Sequence, residues 1–487
     1  MAPPRKSTPA RWNRLNRQQR RTLRGQLRSA DPGLTIVHPN AAGIDIGNQS
    51  HFAAVPADRD LQPVQEFGCW TSELRRLADW LLSCQVDTVA VQATGVYWFA
   101  LYNVLTARGL RVTVVNAVHT KNVPGRKTDV QECQWLMKLH AYGLLNDSFH
   151  TPRAVEKVRT VWRVRDRHVK EASRAIQHMQ KALTAMNVQL SNALSDLSGL
   201  SGQAIIRAIL SGERDPYRLA DLCHARVQAT REEVARSLEG NWRDEVLFEL
   251  QQAVDSYDFT QRQLHACDEQ LQQYLAELPT HPLAAPGVGS AAGAEPGSKP
   301  KGTRGSAGQK KARGNAPRFD LRAELTRIAG VDLTSIDGIE VMTAQTILAE
   351  LGPDLSAFPT EDHFASWLGL CPRKDVSGGR VIGTARTKVR NRVAIAFRNA
   401  AMTLKQSKSF LGARYRHLQM KLPSKTAATK AMGRYLAILV YRLMRNGQAW
   451  VDRGMERFEA KREEREMASL ASRAKARGFQ LTPIATK

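Results

Sequence analysis

Gly125-Arg126-Lys127-Thr128-Asp129-Val130-Gln131-Glu132-Cys133-Gln134-Trp135 is the stretch on which the fold of this chain turns. A Gly-Arg-Lys loop runs into a helix whose expected N-cap is Thr128, because a hydroxyl there can accept from amides that the first turn leaves open. Asp129 and Glu132 are three residues apart, so they share one face of that turn and can reach a common divalent cation. Two acids at a helix N-terminus are also favoured by the helix dipole with no ligand at all. Trp135, Leu136, Leu139 and Tyr142 then form an apolar stripe. It fixes the helix against a core and leaves the carboxylates at the open end.

Upstream of this helix the pattern alternates. Ile36-Val37 is a short strand candidate. Ala42-Gly43-Ile44-Asp45-Ile46-Gly47 is an apolar strand interrupted by one acid, and His51–Val55 and Gln62–Phe67 continue a meander. Leu74–Leu82 has helical periodicity, Thr88–Val91 is a buried strand, Val96–Arg108 is helical and Arg111–Val115 is a strand. The order β-β-β-α-β-α-β-α is the one expected of an RNase-H-like domain, in which acids at strand ends and on a late helix converge on metal. A lone carboxylate in an apolar strand costs roughly several kcal/mol unless something pairs with it. For Asp45 that partner is a metal, a buried Arg or a bend at the strand end. Its place in the same order of elements as Asp129 and Glu132 favours the metal.

A chain of 487 residues is too long for one core and implies two or three domains. Lys and Arg number 71 against 46 Asp and Glu, a net charge of +25. A chain this basic is expected to work on nucleic acid rather than on a membrane surface. The longest apolar run, near Leu436–Leu443, is broken by Arg442, so no membrane span is expected. The N-terminus has no apolar signal segment. Six scattered cysteines give neither a zinc pattern nor a disulfide framework, and fit a reducing cytoplasm.

Residues 1–33 form an arginine-rich tail expected to be disordered and to touch phosphate, and 34–150 form the α/β domain. Residues 151–281 read as helical. Val169, Ala172, Ile176, Met179, Leu183, Met186 and Leu190 make a coiled-coil seam, and a weaker seam from Leu250 to Leu275 is broken by Gln261 and Asp268. A long antiparallel hairpin fits both. Residues 282–318 are a basic linker rich in Ala, Gly, Pro and Ser. From 319 to 450 a second, mostly helical unit is expected, followed by a charged helical tail to 487. Leu325–Ile328, Ile336–Ile339 and Met342–Leu351 read as helix, turn, helix, partly resembling a helix-hairpin-helix whose turn amides can hold a phosphate.

Within that second unit, Arg373-Lys374-Asp375-Val376-Ser377-Gly378-Gly379-Arg380 puts a hydroxyl in a glycine loop among cations. Taken alone, Ser-Gly-Gly is most simply a turn. It is also a setting in which a hydroxyl could attack a phosphodiester while cations stabilise charge on the phosphoryl oxygens. Arg386, Lys388 and Arg390 extend the basic surface, as Arg126 and Lys127 do beside the acidic helix. A helix with Val393, Phe397 and Ala401 on its inner side follows.

Gly43-Ile44-Asp45, Gln92-Ala93-Thr94-Gly95-Val96-Tyr97-Trp98, Asn122 to Asp129 and Gly369-Leu370-Cys371-Pro372 with Ser377-Gly378-Gly379 together resemble the insertion-sequence transposases of the "one-ten" family, most nearly its "eleven-eleven" subgroup. The resemblance covers about Asn40 to Leu443. It implies a RuvC-type DEDD domain, a coiled coil and a C-terminal domain with a nucleophilic serine, in an RNA-guided recombinase that excises and inserts its own element. By position the acids are Asp45, Asp129 and Glu132, the last replacing the usual Asp, and the nucleophile is Ser377. Gln92 stands where much of the family has Glu; an amide oxygen can ligate magnesium but brings no charge. The implied cofactors are one or two Mg²⁺ and a guide RNA. The implied partners are donor and target DNA, a structured non-coding RNA and further copies of the chain, as a dimer or tetramer, in the bacterial cytoplasm at the nucleoid. A metal-dependent nuclease or junction resolvase, with Ser377 a turn residue, and a non-catalytic nucleic-acid-binding remnant are the competing readings.

Overall fold

Almost every side chain of Ala41–Ile46 is apolar and buried, which suits a strand covered on both faces. The computed structural model describes residues 17–27, 33–93, 95–116, 128–282, 316–377, 380–385, 391–447, 467–468 and 470–480, with 373–377 and 380–385 described by their backbone. The chain divides into two compact units, Met1–His150 and Thr151–Lys487.

In the first unit α1 (Arg17–Leu27) precedes β1 (Ala41–Ile46), β2 (Ser50–Ala54), β3 (Val64–Gly68), α2 (Thr71–Ser83), β4 (Thr88–Ala93), α3 (Trp98–Ala107), β5 (Arg111–Asn116) and α4 (Asp129–Ala141). The sheet order is β3-β2-β1-β4-β5. β1, β2 and β3 form an antiparallel meander, and β4 and β5 join in parallel. Parallel joins need crossovers, which α2 and α3 supply. Alternation along the strands sorts the two faces. Ala42, Ile44, Val89 and Val91 pack with Leu74, Leu77, Leu101 and Leu105 from α2 and α3. Ala90 and Val115 pack on the other side with Leu136 and Leu139 of α4.

Two expectations need correction here. The arginine-rich arm is not a disordered tail throughout: Arg17–Leu27 is helical, and Leu23 and Leu27 are buried in the α4-side core. Their spacing of four puts both on one helical stripe, so apolar burial holds the segment despite its charge. Ile36-Val37 is not a strand either. The amides of Val37 and His38 both donate to the Ala141 carbonyl, at 2.8 and 2.9 Å, and so close the C-terminal end of α4.

The second unit is built on two 33-residue helices, α5 (Arg153–Ala185) and α10 (Asp244–Ala276). They run antiparallel: Lys157 pairs with Glu277 at one end and Lys181 with Glu249 at the other. Ala172, Met179 and Leu183 are buried along the seam. Asp268, which interrupts the apolar pattern of α10, lies buried against Arg165 of α5, with Nε donating to the carboxylate at 2.6 Å. At the far end α6 (Leu190–Ala193), α7 (Leu200–Leu210), α8 (Pro216–Ala220) and α9 (Arg231–Ser237) close a core around Met186, Ile205, Ile206 and Leu250.

At the near end the hairpin meets the C-terminal helices. α11 (Leu321–Ala329), α12 (Val341–Leu351) and α13 (Glu361–Trp367) lead to a two-stranded ribbon, and α14 (Arg392–Thr403), α15 (Phe410–Lys421) and α16 (Lys425–Asn446) follow. The Trp162 indole donates to Thr346 at 3.2 Å, and Arg163 grips buried Glu350 through Nε and Nη2 at 2.8 and 2.6 Å. The turn between α11 and α12 packs on its own chain. Gly338 has φ +88°, a Cβ there would meet the Ala400 carbonyl at 3.0 Å, and Asp337 accepts from the hydroxyls of Ser407 and Ser409. Of the expected linker, 283–315 lies outside the described residues.

Candidate active site

Gly43 sets the first half of the site. A Cβ built on it would lie 2.3 Å from the Met137 amide nitrogen and 2.4 Å from the Cys133 carbonyl oxygen, both backbone atoms of α4. The absence of a side chain therefore lets α4 rest directly on β1. Asp45, two residues along, shares the face of Gly43, and Asp129 lies one helical turn before Cys133. The strand and the helix thus bring both acids near Cys133. The Cys133 thiol records this: its pKa is pushed up to about 12, chiefly by burial, with the Asp45 and Asp129 carboxylates both near enough to disfavour a thiolate. The thiol donates instead to the Val130 carbonyl at 3.1 Å.

Gln92 belongs to the same constellation. β1 and β4 pair with Gly43 opposite Ala90 and Ile44 opposite Val91, so the next position along the register sets Gln92 beside Asp45. Gln92 is buried, Asp45 and Glu132 are half-buried and Asp129 is exposed. Asp45 and Gln92 are the penultimate residues of two parallel strands. The carboxyl ends of parallel strands are where open α/β sheets bind ligands. Thr128 caps α4 as expected, accepting from the Gln131 amide at 3.3 Å. Arg126 and Lys127 lie outside the described residues.

The donors are all oxygens, three acids and one amide, which suits a hard cation such as Mg²⁺. Among the described residues no three His, Cys, Asp or Glu side chains stand close enough together to hold one ion.

In the second unit Ser377 is not in an open loop. It is the last residue of β6 (Arg373–Ser377), which pairs antiparallel with β7 (Arg380–Ala385). Ser377 stands directly opposite Arg380, and only Gly378 and Gly379 lie between them. β-Branched Val376, Val381 and Ile382 on the two paired strands account for the difference from the expected loop. The register slips between Asp375 and Val376, an irregularity that bends such ribbons. Lys374 pairs with Thr384 in the ribbon, and Arg373 with Ala385. Arg386, Lys388 and Arg390 fall outside the described residues. α14 begins at Arg392, where the Asn391 side chain accepts from the amides of Val393 and Ala394.

Sequence reasoning missed two positions of the site. Gly43 was legible as a glycine inside a strand, which marks a close backbone approach. Cys133 had no such signal, because its neighbours are set by the packing of α4 on β1.

Two family models match the chain. Residues 42–188 match a DEDD model named for IS110 and described as "Transposase". Residues 330–416, which contain the Ser377 hairpin, match one described as "Transposase IS116/IS110/IS902 family". Among curated proteins none matches.

Proposed function

We propose that this chain, supported as an IS110-family transposase by its two matched segments, excises and inserts its own mobile element by serine attack on a DNA phosphodiester, guided by a structured RNA encoded in the element. The observation that carries the reading is the direct rest of α4 on β1 at Gly43, which sets Asp45 and Asp129 both near the buried Cys133 thiol, with Gln92 next in register. The antiparallel meander continued by two parallel crossovers supports a RuvC-type reading of the first unit.

Asp45, Gln92, Asp129 and Glu132 would hold one or two Mg²⁺, which when bound supply positive charge to the scissile phosphate. The chain's own part is nucleophilic. The Ser377 oxygen forms a bond to phosphorus, the bond to the leaving deoxyribose oxygen breaks, and the proton given up by the serine hydroxyl is passed on, through solvent, to that departing oxygen. The phosphodiester energy is kept in the serine ester, so a deoxyribose hydroxyl can reseal the strand without ATP. Sequence choice rests on pairing between RNA and DNA, while the protein reads backbone and shape, a division suited to its abundant Lys and Arg. The acids and the serine act together in a homo-oligomer.

The test is Ser377→Ala in the protein purified with its RNA and incubated with Mg²⁺ and element DNA. Loss of both strand exchange and the covalent protein–DNA adduct is expected. An adduct that persists would remove Ser377 from the reaction. Cut DNA with free ends and no adduct in the unaltered protein would instead identify a metal-dependent nuclease.

A further inference from the structure

β4 ends at Ala93, and the chain returns through Gly95–Tyr97 into α3 at the same end of the sheet as Gln92. What it presents there is apolar and largely aromatic. Val96 is 71% exposed, Tyr97 48% and Phe99 39%. Only Leu101 and Leu105 of α3 are buried. Core packing, which also takes in Trp98, therefore explains the inner stripe of the helix and leaves Tyr97 and Phe99 unaccounted for. Behind Phe99 stands a braced stack: the Trp98 ring lies 4.0 Å from it at an interplanar angle of 23°, and Trp98 is held in turn by Tyr102 and His150 at 5.6 and 5.1 Å.

The charge pattern says what this surface can bind. From Gly95 to Ala107 there is no charged residue, in a chain that is 24% charged. The segment itself offers a phosphate no cation, and an aromatic ring face needs none. Exposed rings at the same end of the sheet as a phosphate-handling site, one of them braced by Trp98, suit the flat face of a nucleobase, and stacking of this kind tolerates any base. A base can use such a platform only when it is out of its duplex stack, as bases beside a strand being exchanged must be.

We propose that Tyr97 and Phe99 form a stacking platform for an unpaired nucleobase flanking the scissile phosphate. This rests on the reading that the Asp45–Asp129 site handles DNA, and it is tested by binding alone, without cation or strand exchange. A failure of the serine chemistry would therefore leave the result readable.

The experiment compares the full-length protein with the Tyr97→Ala/Phe99→Ala variant on three probes: a mixed-sequence single-stranded oligonucleotide, the same oligonucleotide made abasic, and its duplex. Each lost ring is expected to weaken single-strand binding by about tenfold. Abasic-strand and duplex affinity and the dependence on salt, which report phosphate contacts, should not change. The Tyr97→Phe/Phe99→Tyr variant, which keeps both rings, should bind as the unaltered protein does. Crosslinking of an oligonucleotide carrying 5-iodouracil should map to Tyr97 or Phe99. Equal losses on single strand and duplex, or no loss on either, would overturn the proposal. So would loss of self-association with single-strand affinity intact, which would make the ridge an interface between copies of the chain.

Discussion

Replacing Gly43 by alanine puts one methyl group between β1 and α4. The new Cβ would sit 2.3 Å from the Met137 nitrogen and 2.4 Å from the Cys133 oxygen, whereas ordinary van der Waals contact begins at 3.4 Å. Both neighbours are backbone atoms inside a helix, so no side chain can rotate away. The helix itself must move by about 1 Å, and forced overpacking of this kind costs about 1–3 kcal/mol. Asp129 and Glu132 ride on that helix while Asp45 stays on the strand, so the acids separate by a similar amount. A misplacement near 1 Å can lower a reaction rate by about a hundredfold. The assay is the rate of element excision in vitro, measured beside the urea unfolding midpoint. Excision is expected to fall about a hundredfold under conditions where the variant is still folded. Gly25→Ala is the control: a Cβ there meets nothing within 4 Å, so the excision rate should hold and the midpoint should not fall, helix propensity if anything raising it. An unaltered rate and midpoint in Gly43→Ala would refute the direct contact of helix on strand and with it the geometry of the acid site.

Gln92→Glu restores a charge next to Asp45, so half-maximal activity should be reached at a lower Mg²⁺ concentration, which a magnesium titration of excision reads directly. Asp268→Ala strands the buried Arg165 guanidinium, and unfolding of the second unit should become easier by about 3–5 kcal/mol; the double replacement Arg165→Met/Asp268→Leu should recover most of that loss. His140 is buried, shares a 2.9 Å hydrogen bond with Thr88, and has its pKa lowered from 6.5 to about 4, chiefly by burial. A base that resists protonation when folded stabilises fully above its unfolded pKa, and that stability is lost as pH falls from about 6.5 toward 4. Acid unfolding should therefore cost the first unit about 3 kcal/mol across that window. His140→Gln, which keeps a partner for Thr88 but does not titrate, should flatten the dependence.

Much of the architecture was written in local pattern. Period-two apolar runs bounded by turn residues located all five strands of the first unit, and period-3.6 stripes located α2, α3 and α4 within a few residues. The same logic read α5 and α10 as long helices with facing seams, and even marked Asp268 as a break. What filled that break was invisible, because Arg165 and Asp268 meet only when the hairpin closes. The Ser377 segment was read as a loop because glycines dominate it. That Ser377 ends a strand of a ribbon depends on its pairing with Arg380, which no single strand announces. In α1 the arginines outweighed two leucines whose burial needs a core assembled from β4, β5 and α4.

The sequence by itself determined the identity and order of the chemical groups: an acid in an apolar strand, two acids on the first turn of a capped helix, a serine before paired glycines, and a large excess of cations for a polyanion. Those are properties of neighbours along the chain, which local sterics and periodicity control. Only the tertiary structure decided that Asp45 and Asp129 lie near one thiol, that Gln92 stands next in register, and that exposed aromatic rings occupy the same end of the sheet. These are distances between residues far apart in sequence, fixed by a strand register and by one glycine that lets a helix touch a sheet.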